Sequence, residues 1–339
     1  MKILMSNGRD QYTLAPQYFN ALNNYDVALE AFYPLDIVEG YLAKSSNKIL
    51  QYILPNQLAN KINNDLLEKV DAFKPDIVFV VKGFYLKYST LMQIKTLGIK
   101  LVNYNPDHPF NLGGKQISRN IKESVSLYDV YISYSKKIQE EIHQIYPNLK
   151  TEIIPFGFPD DVPSKLKKSK DIQKLCFIGT ADAYRARMIK AILKKEIPVD
   201  LYGNKWHRYF SDNDLVSLHD KKTGLEYFQI LRDYRVQLNL FREQNLGSHN
   251  MRSFEIAASG GIMLGPNDSD HSAFFNAGEH YYNFDSEADL VEKTKEILGF
   301  HSEKANEIRE KIQIKCIAND YSYKQRSKQL YSIFTQLLE

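Results

Sequence analysis

The segment GSHNMRSFEIAASGGIMLGP, residues 247–266, concentrates residues whose types and spacing suit an anionic ligand. Asn250 can cap a helix that runs to Ser259, where Gly260 and Gly261 stop it ahead of a strand at 262–264. On that helix Arg252 and Glu255 stand three apart and share a face. A helix start offers backbone N–H groups and a partial positive charge, so it suits a diphosphate, to which Arg252 would add a charge-assisted bond. Glu255, one turn deeper, would accept hydrogen bonds from both hydroxyls of a ribose. Ala257, Ala258 and Gly260 are small enough to bring the helix close to a sheet. The competing reading is an intrahelical Arg252–Glu255 ion pair on a solvated face.

Other candidates follow strands. Gly179 and Thr180 come after a strand at 175–178, where a glycine lets a phosphate approach the backbone, or where they form an ordinary turn. Arg185 and Arg187 enter the next helix; one is expected at a diphosphate and the other on the surface. Gly203, Lys205 and Trp206 follow a strand at 199–202, where Trp206 could line a pocket for a base, although a lone tryptophan is more often core. Asp107 and His108, held stiffly between Pro106 and Pro109, can act as a general base or form a polar turn. Asn7, Gly8, Arg9 and Asp10 after the first strand can likewise touch acceptor or donor phosphate, or form a polar turn. Asp268, Asp270 and His271 look like metal ligands but read as a loop, and no metal site is expected. No P-loop, no GxGxxG after the first strand and no HExxH motif is present.

The elements that must position these residues alternate strand and helix. Strands are expected at 2–5, 27–31, 77–81, 100–104, 130–133 and 152–155, and the continuous apolar run IVFVV at 77–81 marks a parallel sheet covered on both faces. Residues 159–174, with two prolines, a lysine-rich run and no apolar periodicity, read as a linker. The pattern then restarts at 175–178, 199–202 and 236–240, with a helix at 186–194. The expectation is therefore two Rossmann-like domains, 1–158 and 175–319, facing across a cleft, with a last helix at about 320–339 packing back on the first. In such sheets ligands bind at the carboxyl ends of the strands.

Composition narrows the function. The 339 residues carry a net charge of +3, too little to argue for nucleic acid without a concentrated stripe. Two cysteines, Cys176 and Cys316, stand far apart and outside any Cys/His cluster, which fits a reducing cytoplasm. The apolar run in MKILMSNGRD is too short for a signal peptide, so none is expected, and no stretch approaches the roughly 18 apolar residues a membrane span needs.

The 247–266 segment resembles the signature of CgeB-like glycosyltransferases, a bacterial family named after a spore maturation protein, with its N-x-R-x-F-E-x-A-A-x-G run. FIGTADAYRARMI at 177–189 is similar to the family's F-x-G-[ST] loop followed by an arginine, LYGNKW at 201–206 to its L-Y-G-x-x-W, and QLNLFR at 237–242 to its L-N-x-x-R strand. FDSEADLVEK at 284–293 and YSYKQRSKQL at 321–330 also fit, while KPDIVFVVKG at 74–83 and NYNPDHP at 103–109 are weaker counterparts. The resemblance implies the GT-B fold and transfer of a sugar from a nucleotide-sugar donor of unidentified base, with no tightly bound cofactor or metal. It implies a donor site of Gly179, Thr180, Arg185, Gly203, Trp206, His249, Asn250, Arg252 and Glu255. The acceptor would be a glycan, a lipid-linked glycan or a protein, in the cytoplasm or at the inner face of the membrane. Related retaining transferases carry E-x7-E, and Gly247 stands where the first glutamate would be, so retention is not carried over. A nucleotide-sugar epimerase of the same architecture and a non-catalytic sugar-nucleotide or glycan binder are the competing readings.

Overall fold

The computed structural model describes residues 1–43, 56–110, 115–241 and 248–339. The chain divides into two compact units, Met1–Pro155 with Tyr323–Glu339, and Phe156–Ser322.

The first unit runs β1 (Lys2–Ser6), α1 (Leu14–Leu22), β2 (Ala28–Phe32), α2 (Pro34–Ala43), α3 (Asn56–Phe73), β3 (Ile77–Val81), α4 (Tyr88–Thr96), β4 (Lys100–Tyr104), α5 (Lys115–Ser124), β5 (Val130–Ser133), α6 (Lys136–Ile145) and β6 (Thr151–Ile153). Its six strands are parallel in the order β2-β1-β3-β4-β5-β6. Ile77, Val78, Phe79 and Val80 are all buried, as strands covered on both faces require. The last helix of the chain, α14 (Tyr323–Leu338), belongs to this unit's core. Tyr331 stacks on Tyr25 at 4.4 Å, and Phe334 meets Phe79 edge-on at 5.3 Å.

The second unit runs α7 (Val162–Lys165), β7 (Ile172–Ile178), α8 (Ala183–Leu193), β8 (Val199–Tyr202), β9 (Val216–His219), α9 (Gly224–Asp233), β10 (Tyr234–Leu238), α10 (Met251–Ser259), β11 (Met263–Pro266), α11 (Ser269–Ser272), β12 (Tyr282–Phe284), α12 (Glu287–Leu298) and α13 (Ser302–Ala318). Its six parallel strands are ordered β12-β11-β10-β7-β8-β9, so strand order reverses between β7 and β10. A reversal of this kind leaves a crevice at the carboxyl ends of the two strands. One face of the sheet is apolar: Leu175, Phe177, Val199, Leu201, Val236 and Leu238 pack in one core with α8 and α12. The opposite face alternates polar residues, and there Asp200 accepts from Lys174 at 2.8 Å and from the Tyr234 hydroxyl at 2.5 Å.

The stretch 159–174, expected as a linker, is counted within the second unit. It holds α7 and the first residues of β7, and its Ser169 hydroxyl donates to the Arg232 carbonyl at 2.8 Å. β7 starts at Ile172 rather than 175. Gln173 and Lys174 look polar in sequence because the amino end of this strand bonds outward rather than into the core. Just ahead of the strand, Asp171 binds two almost fully buried arginines, Arg235 at 2.5 Å and Arg309 at 2.7 Å. This clamp ties β7, β10 and α13 together at the end of the sheet opposite the crevice.

Candidate functional site

α10 begins at the crevice. Asn250 caps it in extended conformation, its Oδ1 accepting from the Ser253 backbone N–H at 3.0 Å, and the Ser253 hydroxyl faces back to the Asn250 backbone to complete a capping box. The Asn250 amide donates to Asn239 Oδ1 at 2.9 Å, which fixes the cap to the chain just after β10. At the other end Gly260 takes φ +69, a left-handed stop that favours glycine. From Ser253 to Ser259 every residue is buried.

Arg252 and Glu255 do not form the solvated ion pair that their spacing allows. No guanidinium nitrogen of Arg252 comes within 4 Å of a Glu255 carboxylate oxygen. Instead the Tyr227 hydroxyl stands between, accepting from Arg252 Nε at 3.0 Å and lying 2.5 Å from Glu255 Oε2. Arg252 also donates to the Ile178 carbonyl at the end of β7, so its guanidinium lies at the strand reversal. Glu255 is 7% exposed. Burial pushes its carboxyl above the ordinary range, while the Arg252 charge and the Tyr227 bond pull the other way.

The loops beside it are tightly fitted. Gly203 adopts φ +126, and a Cβ there would sit 2.5 Å from the Gly179 carbonyl oxygen, so the turns after β7 and β8 touch. Arg185, nearly buried, spends its guanidinium on the chain, donating to the Thr180 carbonyl at 2.9 Å and the Leu240 carbonyl at 3.1 Å. It braces the turn. Arg187 is exposed and paired with Glu287. Trp206 is 1% exposed and donates its indole N–H to the Gly179 carbonyl at 2.9 Å. That corrects the pocket-lining reading, because a ring so enclosed has no face to offer a base, and it shapes the turn from behind. Lys205 takes φ +70 at that same turn. His249 is also interior, edge-on to Phe156, Phe254 and Phe274. Tyr227 escaped the sequence reading. Gly247 and Arg242 lie outside the described residues.

In the first unit strand order reverses between β1 and β3, where the Val81 N–H donates to the Ser6 hydroxyl at 2.7 Å. Lys82 follows in the left-handed region, φ +65, and its ammonium meets Asp107 Oδ2 at 3.1 Å. Asp107 is thereby drawn from β4 toward the reversal. His108 is 4% exposed; its Nδ1 accepts from the Phe110 N–H at 3.2 Å and its Nε2 faces Glu141 at 2.8 Å. Both ring nitrogens are engaged by the protein itself. After β1, the Gly8 N–H donates to the Asn7 side chain, Arg9 forks onto Asp36 over the Tyr33 ring, and Asp10 holds the Tyr12 N–H. These residues organise their own loop.

Asp268 caps α11, and among the described residues no group of three His, Cys, Asp or Glu side chains could hold a metal ion. His271 is fully buried among Phe241, Phe275 and Tyr281, and among the described residues neither ring nitrogen has a partner. Burial pushes its pKa down to about 3. The unfolded chain therefore takes up a proton near pH 6.5 that the folded one refuses, so stability is full above that pH and falls below it. His271→Leu should remove this contribution, about 1.4 kcal/mol per pH unit between pH 6 and 4, in chemical denaturation followed by circular dichroism. Parallel acid profiles for the two proteins would refute it.

Residues 185–332 match the model of a glycosyl transferase-like family. The match takes in α9, α10 and the strands between β8 and β12. A search of curated proteins found no match. Among solved structures the chain is similar to sucrose-phosphate synthase from Thermosynechococcus elongatus, with TM-score 0.68 and 11% identity over 99% of this chain and 98% of that one. It is similar to an alpha-glucosyltransferase in complex with UDP and a 13-mer DNA, with TM-score 0.66 and 14% identity over 99% of both chains. It is also similar to UDP-GlcNAc 2-epimerase from Neisseria meningitidis bound to UDP-GlcNAc, with TM-score 0.56 and 13% identity over 99% of this chain and all of that one. At such identities the likeness is one of fold: two Rossmann-like units of the GT-B kind. Among the described residues no helix is long and apolar enough to cross a membrane.

Proposed function

We propose that this protein transfers a sugar from a nucleotide-sugar donor, and that α10 of the second unit holds that donor. The observation that carries the reading is the Arg252–Tyr227–Glu255 group at the start of a capped helix, at the reversal between β7 and β10. Arg252 supplies positive charge for the diphosphate and Glu255 accepts from the ribose hydroxyls. The glycosyl transferase-like match over the same residues and the UDP and UDP-sugar in similar structures support this assignment. The CgeB-like motifs favour an acceptor in bacterial surface polysaccharide or protein glycosylation, at the cytoplasmic side of the membrane.

Glu255→Gln keeps the shape and removes the charge, so nucleoside affinity should fall by about 1.5–3 kcal/mol, or about tenfold to a hundredfold. Arg252→Ala should weaken a nucleoside diphosphate more than its nucleoside, since only the diphosphate presents phosphates. Calorimetry with UDP, GDP and their nucleosides reads both effects. Unchanged affinity in both variants would remove the donor from α10.

The full-length likeness to UDP-GlcNAc 2-epimerases favours a second reading, epimerisation of the nucleotide sugar. Incubation with UDP-, GDP-, CMP- and dTDP-sugars separates the two: transfer releases free nucleotide, whereas epimerisation returns an intact nucleotide sugar of altered configuration.

A further inference from the structure

We propose that Tyr227 is the positioning residue of the donor site, its hydroxyl locking Arg252 and Glu255 into one arrangement and leaving Glu255 Oε1 for the sugar hydroxyls of the nucleoside. The inference rests on the reading of Arg252 and Glu255 as donor-binding residues.

Donor chemistry fixes the direction of the bonds. A guanidinium only donates, so at 3.0 Å from Arg252 Nε the Tyr227 oxygen must accept. Its single proton then goes to Glu255 Oε2, 2.5 Å away. The carboxylate is thus occupied on one oxygen and, among the described residues, no bond falls on the other. Tyr227 itself has little freedom. The residue is 9% exposed, and its ring packs edge-on to buried Phe228 at 4.9 Å and lies beneath the Arg252 guanidinium, 5.4 Å from the ring centre. The helix that carries it is anchored on both sides: Gln237 of β10 donates to the Ile230 carbonyl at 2.8 Å, and Arg232 donates to the Ser259 carbonyl of α10 at 3.1 Å.

The hydroxyl also bears on the charge of Glu255. Burial disfavours the ionised carboxylate, and only Arg252 and Tyr227 oppose it. The other elements packed on α10 add little charge there. α13 brings Gln313 to the Ala258 carbonyl and the Cys316 thiol to the Phe254 carbonyl, β7 brings the buried thiol of Cys176 near Arg252, and Lys165 of α7 pairs with Asp161. Losing the Tyr227 proton donor should therefore let Glu255 take up a proton at higher pH.

The test uses the full chain and whichever of UDP, GDP, CDP or dTDP binds it in calorimetry, with the matching nucleoside, from pH 5 to 8. Tyr227→Phe should weaken the nucleoside by about threefold to thirtyfold at neutral pH and move the acidic fall in affinity to higher pH. Site-specific 3-fluorotyrosine at position 227 keeps the shape and the hydroxyl but makes a stronger donor, so it should move the same fall to lower pH. A tyrosine that only filled space would leave both curves where the wild type has them. If Tyr227→Phe and the fluorinated protein bind as the wild type does while Glu255→Gln is weakened, the positioning role is overturned and the donor site stands. If Glu255→Gln and Arg252→Ala also bind as the wild type does, or no diphosphate binds, the donor reading fails and the proposal falls with it.

Discussion

Asp171→Ala should destabilise the second unit by about 3 kcal/mol. Arg235 and Arg309 have side chains only 2% and 3% exposed, and Asp171 is the carboxylate that both of them bind. Removing it strands two buried guanidiniums, which is costlier than losing the attraction alone. The figure lies at the lower end for a buried pair because 21% of the Asp171 side chain is reached by water. The same clamp has a pH signature. Bonds from Arg235 first, and then from Arg309, hold the Asp171 carboxyl down at about 2. A depressed carboxyl contributes stability above its unfolded pKa of about 4, and that contribution is lost as pH falls toward 2. This window lies below the one in which His271 acts. Urea titrations of the wild type and Asp171→Ala at pH 7 and pH 3 should give a large difference at the first and a smaller one at the second. Equal stability at pH 7 would show that the arginines find other partners.

Asp107→Asn should lower turnover by about a hundredfold to ten-thousandfold while leaving donor affinity within about twofold, as loss of a general base does. Of the two candidates after β4, Asp107 is the better placed. His108 already accepts from the Phe110 N–H and faces Glu141, so its release as a base would break both contacts. Asp107 is held at the strand reversal of the first unit by Lys82, whose left-handed backbone turns its side chain there at the end of β3. His108→Ala is expected to act mainly on stability. Release of nucleotide from the donor sugar, measured against calorimetric donor affinity, separates the two parameters. Wild-type turnover in Asp107→Asn would place the base elsewhere.

Legibility in the sequence followed how local each signal was. The bounds of α10 were readable because the Asn250 cap, the apolar stripe and the Gly260–Gly261 stop are contiguous and act through the backbone. Tyr227 was not, since it reaches Glu255 across 28 positions from another helix, where the run Tyr227, Phe228 and Leu231 reads only as a core stripe. Trp206 stayed open between core and pocket because a residue type says nothing of which side of a turn it occupies. β9 and β12 escaped notice, being four and three residues long with polar members. Lys82 closes an apolar strand and looks like an ordinary polar terminus until its backbone angle is seen.

Hydrogen exchange with and without a bound nucleoside diphosphate tests the donor site most directly, because it locates the ligand without a substitution. With UDP or GDP at saturation, amide protection should rise over residues 248–255 at the start of α10 and over the turns at 179–182 and 203–206. The turns at 7–10 and 105–110 of the first unit should change little. Protection gained only in the first unit, with α10 unaffected, would contradict the assignment of the donor to Arg252, Tyr227 and Glu255.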